Sequence, residues 1–317
     1  KRPFPAFMGL LTMKYCSVVP KEIVEHYGDE FGRHPVGTGP FRFKMWREGE
    51  KLIFLKNRNY FETNEQGSPL PHLDAISITF ISDKQSEFLE FIKGELDFLS
   101  GLSPANKDEL LTRTGRLNPR YKGEITMYTQ PYLNTEYLGF LTDDSMEMAR
   151  NSPVSDKLVS QAINYGFDRK KMMKYLRNNI GTPANNGFIP KGLPAFSKDS
   201  IQGYTYNPDK ARKLLEKAGY PQGKGLEPIK LTTTDDYRDL CEFIQHQLSE
   251  IGIEINIEIS TGATFRDMVA NSKLLFFRGS WIADYPDAEN YLALFYSKNF
   301  SPGGPNYTQY ENPEYDS

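Results

Sequence analysis

Hydrophobic and polar positions alternate along this chain with two periods, and the changes of period mark its elements. Phe7 to Tyr27 carries a helical spacing broken at Pro20, and Lys21–Tyr27 predicts a short helix stopped by Gly28. His34-Pro35-Val36-Gly37-Thr38-Gly39-Pro40 is a cluster of turn formers. Beyond it Phe41, Phe43 and Met45 alternate with Arg42, Lys44 and Trp46, Glu48-Gly49-Glu50 turns the chain, and Leu52 to Lys56 returns. That is the pattern of a β-hairpin. Ile76, Ile78 and Phe80 predict a further strand. Lys84 to Lys93 predicts a helix with Phe88, Leu89 and Ile92 on one face and Gly94 as its stop, and Asp97-Phe98-Leu99 predicts a short strand. From about residue 36 to 125 the reading is one α/β lobe.

The second half repeats the alternation with stronger signals. Ser152-Pro153 predicts an N-cap followed by proline in the first turn, ahead of a stripe of Val154, Leu158, Ala162 and Ile163. Asp168 predicts the cap of a helix carrying Met172, Met173 and Leu176. Residues 181–203, rich in Gly, Pro and Asn, predict a long loop. Asn207-Pro208 repeats the cap-and-proline device ahead of Ala211, Leu214, Leu215 and Ala218, with Gly219 as stop. Ile229, Leu231 and Thr233 then alternate as a strand, and Asp236 to Ile251 reads as a helix buried through Leu240, Phe243, Ile244, Leu248 and Ile251. Ile253, Ile255, Ile257 and Ile259 alternate again, which completes a βαβ unit. Leu274 to Arg278 reads as one more strand.

Composition narrows the function classes. The 317 residues carry a net charge of −3 with both signs mixed throughout, so there is no basic stripe to neutralise phosphates, and no nucleic-acid partner is expected. No apolar run approaches the roughly 20 residues that span a bilayer. With 19 Tyr, 21 Phe and 2 Trp, the chain has either aromatic-lined surfaces or an aromatic-rich core. Cys16 and Cys241 lack ligand or redox spacing and read as two small buried or half-buried thiols; a disulfide between them stays open. The opening Lys1-Arg2-Pro3-Phe4-Pro5 is neither a signal peptide nor a mature secreted terminus, so a trimmed chain or a fragment is expected.

Catalytic constellations are missing. The sequence has no G-x-S-x-G elbow, P-loop, H-E-x-x-H helix or G-x-G-x-x-G after a strand. His26, His34, His72 and His246 lie in four separate contexts without metal-ligand spacing. Asp143-Asp144 and Asp235-Asp236 sit before helical patterns, where carboxylates cap. No enzyme, metal or cofactor is expected.

Three stretches, taken in order, carry a resemblance. Pro35-Val36-Gly37-Thr38-Gly39-Pro40-Phe41 leads into the aromatic hairpin and Asn59-Tyr60-Phe61. Tyr137-Leu138-Gly139-Phe140 is followed by Gln161-Ala162-Ile163-Asn164-Tyr165-Gly166-Phe167-Asp168-Arg169. Asn207-Pro208-Asp209-Lys210-Ala211 continues through Leu215 to Ala218-Gly219-Tyr220, with Ile251-Gly252-Ile253 later. Over nearly its whole length the chain resembles the family 5 extracellular solute-binding proteins, the oligopeptide, dipeptide and nickel binders of ABC transporters. The resemblance implies an α/β fold of the periplasmic binding protein type (type II, peptide-binding class): two lobes with mixed sheets flanked by helices and a hinge between them. It implies residues 1–35 as the tail of a small domain and linker, 36–130 as part of domain I, and 131–317 as most of domain III, in a chain truncated at both ends.

The implied function is non-catalytic: capture of a small peptide by lobe closure and delivery to permease subunits. The implied setting is a monomer in the periplasm or at the cell surface, lipid-anchored at full length. In Gly279-Ser280-Trp281-Ile282-Ala283-Asp284-Tyr285-Pro286-Asp287 the resemblance places a salt bridge to the ligand's α-ammonium on Asp284 and a side-chain pocket wall on Trp281. Tyr285 and Asp287 are weaker ligand-binding candidates. Tyr137 and Phe140 lie on the strand entering domain III, where Gly139 leaves room for a ligand or crossover, or where all three pack as core. Two positions depart from the pattern: Leu141 replaces a frequent Asn, and Lys157 stands near a usual Arg. An oligosaccharide or a nickel complex is the alternative ligand, and a peptide sensor or chaperone the alternative role.

Overall fold

The structure, a computed structural model, describes residues 4–102 and 104–317. The chain divides into two compact units, Leu11–Asn106 and Lys1–Leu10 with Lys107–Ser317.

In the smaller unit, helix Lys21–Tyr27 ends at Gly28, whose φ of +51° suits glycine and disfavours other residues. The helical spacing before Pro20 yields only one turn, Phe7–Leu10, and a 3₁₀ turn, Lys14–Cys16. Phe7, Met8 and Leu11 are exposed, while Ala6 is buried and Gly9 lies against the Tyr285 side chain, so most of the stripe stays in water, and a short helix that buries little is marginal. Strands β1 (Phe41–Arg47), β2 (Lys51–Lys56) and β3 (Ala75–Thr79) form an antiparallel sheet in that order, with Phe54 paired to Phe43 on one side and Ile76 on the other. Helix Lys84–Ile92 starts on Asp83, whose carboxylate accepts the Ser86 N–H at 2.8 Å, and it buries Phe88. Asp97-Phe98-Leu99 is not a strand. Phe98 is 77% exposed, and the segment pairs with no strand among the described residues.

The larger unit is built on a four-stranded mixed sheet of β4 (Asn134–Phe140), β5 (Ile229–Thr233), β6 (Ile255–Ile259) and β7 (Phe276–Ile282), ordered β4-β7-β5-β6. β5 runs parallel to β6 and to β7, and β4 runs antiparallel to β7. Helix Arg238–Ser249 makes the β5–β6 crossover that the alternation predicts. Helix Gly262–Ala270 then returns the chain past β5 to β7, so the strand order reverses at β5. Ligands of open α/β sheets gather at such a reversal, beyond the carboxyl ends of the strands.

The core lies on both faces of this sheet. On one, Val159, Ala162 and Ile163 of helix Lys157–Gly166 meet Ala211 and Leu215 of helix Pro208–Lys217, Ile244 and Leu248 of the crossover helix, and Leu231, Ile255 and Phe276 from the strands. Each large aliphatic side chain fully buried there stabilises by about 1.5–3 kcal/mol. On the other face, Phe265 and Val269 pack with Phe277, Tyr137 and Tyr307. Asp168 and Asn207 cap their helices as their positions predict. Ser152 does not: Pro153 opens a 3₁₀ turn ending at Ser155, and Asp156 takes over as cap, accepting the Leu158 N–H at 2.7 Å. Cys241 is buried in the core, whereas Cys16 is exposed, and both thiols are free.

Candidate functional site

Pairing of β4 with β7 sorts the candidate residues by face. Glu136 lies opposite Ser280, Leu138 opposite Arg278 and Phe140 opposite Phe276. One residue along, Thr135 lies opposite Trp281, Tyr137 opposite Gly279 and Gly139 opposite Phe277. Side chains alternate across a sheet, so Tyr137 and Trp281 share one face and Phe140 is on the other. Phe140 stacks on Phe276 with centroids 4.8 Å apart and packs against the helix-side core. The Tyr137 ring lies over Gly279 and the Phe277 ring over Gly139, where a Cβ would run into each. The room above Gly139 is therefore filled by an aromatic ring. Tyr137 also meets Phe188 of the long loop edge-on at 5.1 Å, and burial holds its hydroxyl well above the usual tyrosine range.

The chain beyond β7 wraps around one buried side chain, Asn290, which is 5% exposed. Its Oδ1 accepts the Trp281 indole Nε1–H at 2.9 Å and the Asp284 backbone N–H at 3.1 Å, and its Nδ2 donates to Asp284 Oδ2 at 3.5 Å. The strand's end is fixed from beneath: Ala283 N–H donates to the Leu133 carbonyl at 2.8 Å, and the Tyr291 hydroxyl donates to that same oxygen. Trp281 is half-buried and the Asp284 carboxylate is exposed. Among the described residues no cation is paired with Asp284; the ion pairs there involve other carboxylates.

Tyr285 is buried and donates its hydroxyl to Glu289 Oε2 at 2.5 Å. Burial first, and the Glu289 carboxylate second, push that hydroxyl up to about 12, with the Asn290 amide acting in the opposite direction. Asp287 accepts the Glu289 N–H at 2.9 Å, in the turn that leads into the short helix Glu289–Leu292. Trp281, Asp284 and Asn290 thus form one cluster, and Tyr285 and Asp287 hold the turn that carries it.

A second polar set stands on the opposite face of the same strand ends. Arg278, with only 10% of its side chain exposed, donates to Glu136 Oε2 at 3.0 Å, and Glu136 is 33% exposed. Glu136 Oε1 also accepts from Asn134 Nδ2 at 2.8 Å, Ser280 Oγ at 3.0 Å and the Tyr237 hydroxyl at 3.3 Å. The Arg278 guanidinium lies 3.5 Å from the Tyr237 ring centroid. Its Nε is buried without a hydrogen-bond partner, a loss that stacking on the ring offsets in part. Sequence reasoning passed over Asn290, Glu136 and Tyr237. A signal for the set was present: Asn134, Glu136, Arg278 and Ser280 are polar at alternate positions of otherwise apolar strands.

Among the described residues no group of three or more His, Cys, Asp or Glu is placed to hold a metal ion. The fold is that of the type II periplasmic binding proteins of the peptide-binding class, and the cluster beyond β7 sets a carboxylate beside an indole. The chain belongs to the bacterial extracellular solute-binding proteins, family 5, which it matches over residues 1–303. That family is made of binding proteins, not enzymes. The glutathione-binding protein GsiB of Salmonella paratyphi A is 28% identical over 323 residues, matching all of this chain and 58% of GsiB. The Helicobacter pylori periplasmic binding protein DppA, solved with the peptide STSA, superposes with a TM-score of 0.78 at 24% identity, covering 99% of this chain and 58% of DppA. The murein tripeptide binding protein MppA of Escherichia coli gives a TM-score of 0.76 at 20% identity, covering 99% of this chain and 58% of MppA. The chain thus spans a little over half the length of these relatives. Among the described residues no helix is long and apolar enough to cross a membrane.

Proposed function

We propose that this chain belongs to a binding protein that captures short peptides with a free α-amino group outside the cytoplasm and delivers them to an ABC permease by closure of two lobes. One observation carries the ligand reading. Asp284 presents an exposed carboxylate, paired with no cation among the described residues, at the carboxyl end of β7, held in place by a buried amide beside the half-buried Trp281. A carboxylate oriented in advance gains more from an ammonium than a mobile one in water, and more still once a closing lobe lowers the local dielectric. Trp281 and Tyr137 supply an apolar wall on the same face, suited to a side chain of variable size. The peptide and glutathione binders among the similar proteins support this class of ligand. The same proposal takes residues 36–130 as part of the first domain and 131–317 as most of the third, in a monomer that is lipid-anchored at full length.

Calorimetry of the full-length protein with tri-alanine and N-acetyl-tri-alanine tests the reading. Asp284→Asn weakens tri-alanine binding by roughly 10- to 100-fold, the worth of a hydrogen bond to a charged group, and leaves the acetylated peptide unchanged. Equal loss for both peptides rejects Asp284 as the ammonium partner. Binding of maltotriose with no binding of either peptide rejects the ligand class.

A further inference from the structure

We infer that Asn290 is the positioning residue of the ligand site, a single amide that sets the Asp284 carboxylate and the Trp281 indole before any ligand arrives. The inference rests on the peptide reading above. Its geometry fixes which way the amide faces. The Trp281 Nε1–H and the Asp284 backbone N–H are donors only, and both point at the same end of Asn290, at 2.9 and 3.1 Å. That end must be the oxygen, and both of its lone pairs are then used. The NH₂ end consequently faces Asp284 Oδ2, at 3.5 Å, the long limit of a hydrogen bond. The amide therefore ties together the tilt of the indole, the main chain at position 284 and the direction of the carboxylate.

The surroundings hold Asn290 as firmly as it holds its partners. It sits in the first turn of helix Glu289–Leu292, and its own N–H donates to the Asp287 carbonyl at 3.3 Å. Neighbouring Tyr291 is fully buried and anchored on Leu133. A site whose supporting shell is locked loses little rotamer freedom on binding, which converts directly into affinity and selectivity. Leucine matches the volume but leaves the Trp281 indole N–H and the Asp284 N–H without their acceptor, and aspartate keeps the accepting oxygen but replaces the donor with a charge that repels Asp284.

The test uses the full-length protein with Asn290→Leu and Asn290→Asp, and the Trp281 indole resonance is assigned beforehand by its loss in Trp281→Phe. Two readouts are taken: the Trp281 indole N–H resonance without ligand, and the affinities for tri-alanine and N-acetyl-tri-alanine. Asn290→Leu shifts the indole resonance and weakens tri-alanine about tenfold, while N-acetyl-tri-alanine changes by less than about twofold. Asn290→Asp, which retains the acceptor, leaves the indole resonance near its original position. An unmoved indole in Asn290→Leu overturns the inference, as does a moved indole with an unchanged affinity ratio between the two peptides. If the unsubstituted protein binds neither peptide, the peptide reading fails, and the indole resonance alone decides whether Asn290 positions Trp281.

Discussion

The two units bury their sheets in different ways. In Leu11–Asn106 the strands are antiparallel, β1 alternates half-buried with exposed positions, β2 is half-buried throughout, and Phe88 is the one buried hydrophobic residue among those described. In the larger unit β5 is buried at every position but one, and β7 is buried over its first four residues. A sheet with parallel strands is covered on both faces, whereas an antiparallel one tolerates water on one side. The difference changes what a polar residue means. On β1, Arg42 and Lys44 are solvated and carry no message. In the larger unit Thr232 is paired with Glu258 at 3.2 Å and Arg278 with Glu136 at 3.0 Å, because an unpaired group there would be costly. Polar side chains on β4 and β7 therefore mark the strand ends where the candidate site lies.

The largest expected effect separates the two units by their cores. Phe276→Ala removes a ring that is fully enclosed between Phe140 and the helices, and it should destabilise the larger unit by about 3–5 kcal/mol in urea unfolding. Phe43→Ala, at a half-buried position facing Phe54, should cost roughly 1–2 kcal/mol, since only part of the transfer term is lost. Similar losses for the two substitutions would break the contrast in burial.

Charge pairs should follow the same division with smaller numbers. Glu136→Gln leaves Arg278 in place with 10% of its side chain exposed and its charge uncompensated, and it should cost about 1–3 kcal/mol, the lower end applying because Glu136 is itself one-third open to water. Glu48→Gln breaks the Arg33–Glu48 pair of the smaller unit, where both side chains are more than half exposed, and should change stability by no more than about 0.5 kcal/mol. A double-mutant cycle on each pair measures the two couplings, and equal couplings would refute the comparison.

What the sequence made legible follows from how local each signal is. Caps at Asp168 and Asn207, the stops at Gly28, Gly94 and Gly219, the first hairpin and the βαβ unit all depend on neighbours within one turn or one crossover, and all are present. The failures depend on distant partners. The stripe before Pro20 buries little beyond Ala6, Asp97–Leu99 joins no strand among the described residues, and Ser152 lost its cap to Asp156, four residues on, at the turn that packs Val154 into the core. In the candidate site the split of Tyr137 from Phe140 was available from period-two alternation, since they are three residues apart. Asn290 was not available, because nothing in the sequence shows that a residue six positions past Asp284 folds back beneath it.

The smallest expected effect concerns pH. Tyr285 in the larger unit has its hydroxyl pushed up to about 12 by burial and by Glu289, against an ordinary value of 10.0. Tyr60 in the smaller unit is also raised, chiefly through its hydrogen bond to Glu62. A tyrosine whose value is raised on folding contributes stability that is complete below the unfolded value. As pH climbs past 10.0 the unfolded chain releases its proton first, so that contribution is lost progressively toward the folded value. Tyr285→Phe removes the ionisation together with the Glu289 bond, so the variant should be less stable than the parent at about pH 9 and the gap should narrow by about pH 11. Urea unfolding at the two pH values measures it. A constant gap would show that Tyr285 ionises alike in the folded and unfolded states, and burial would then separate the two units in packing but not in titration.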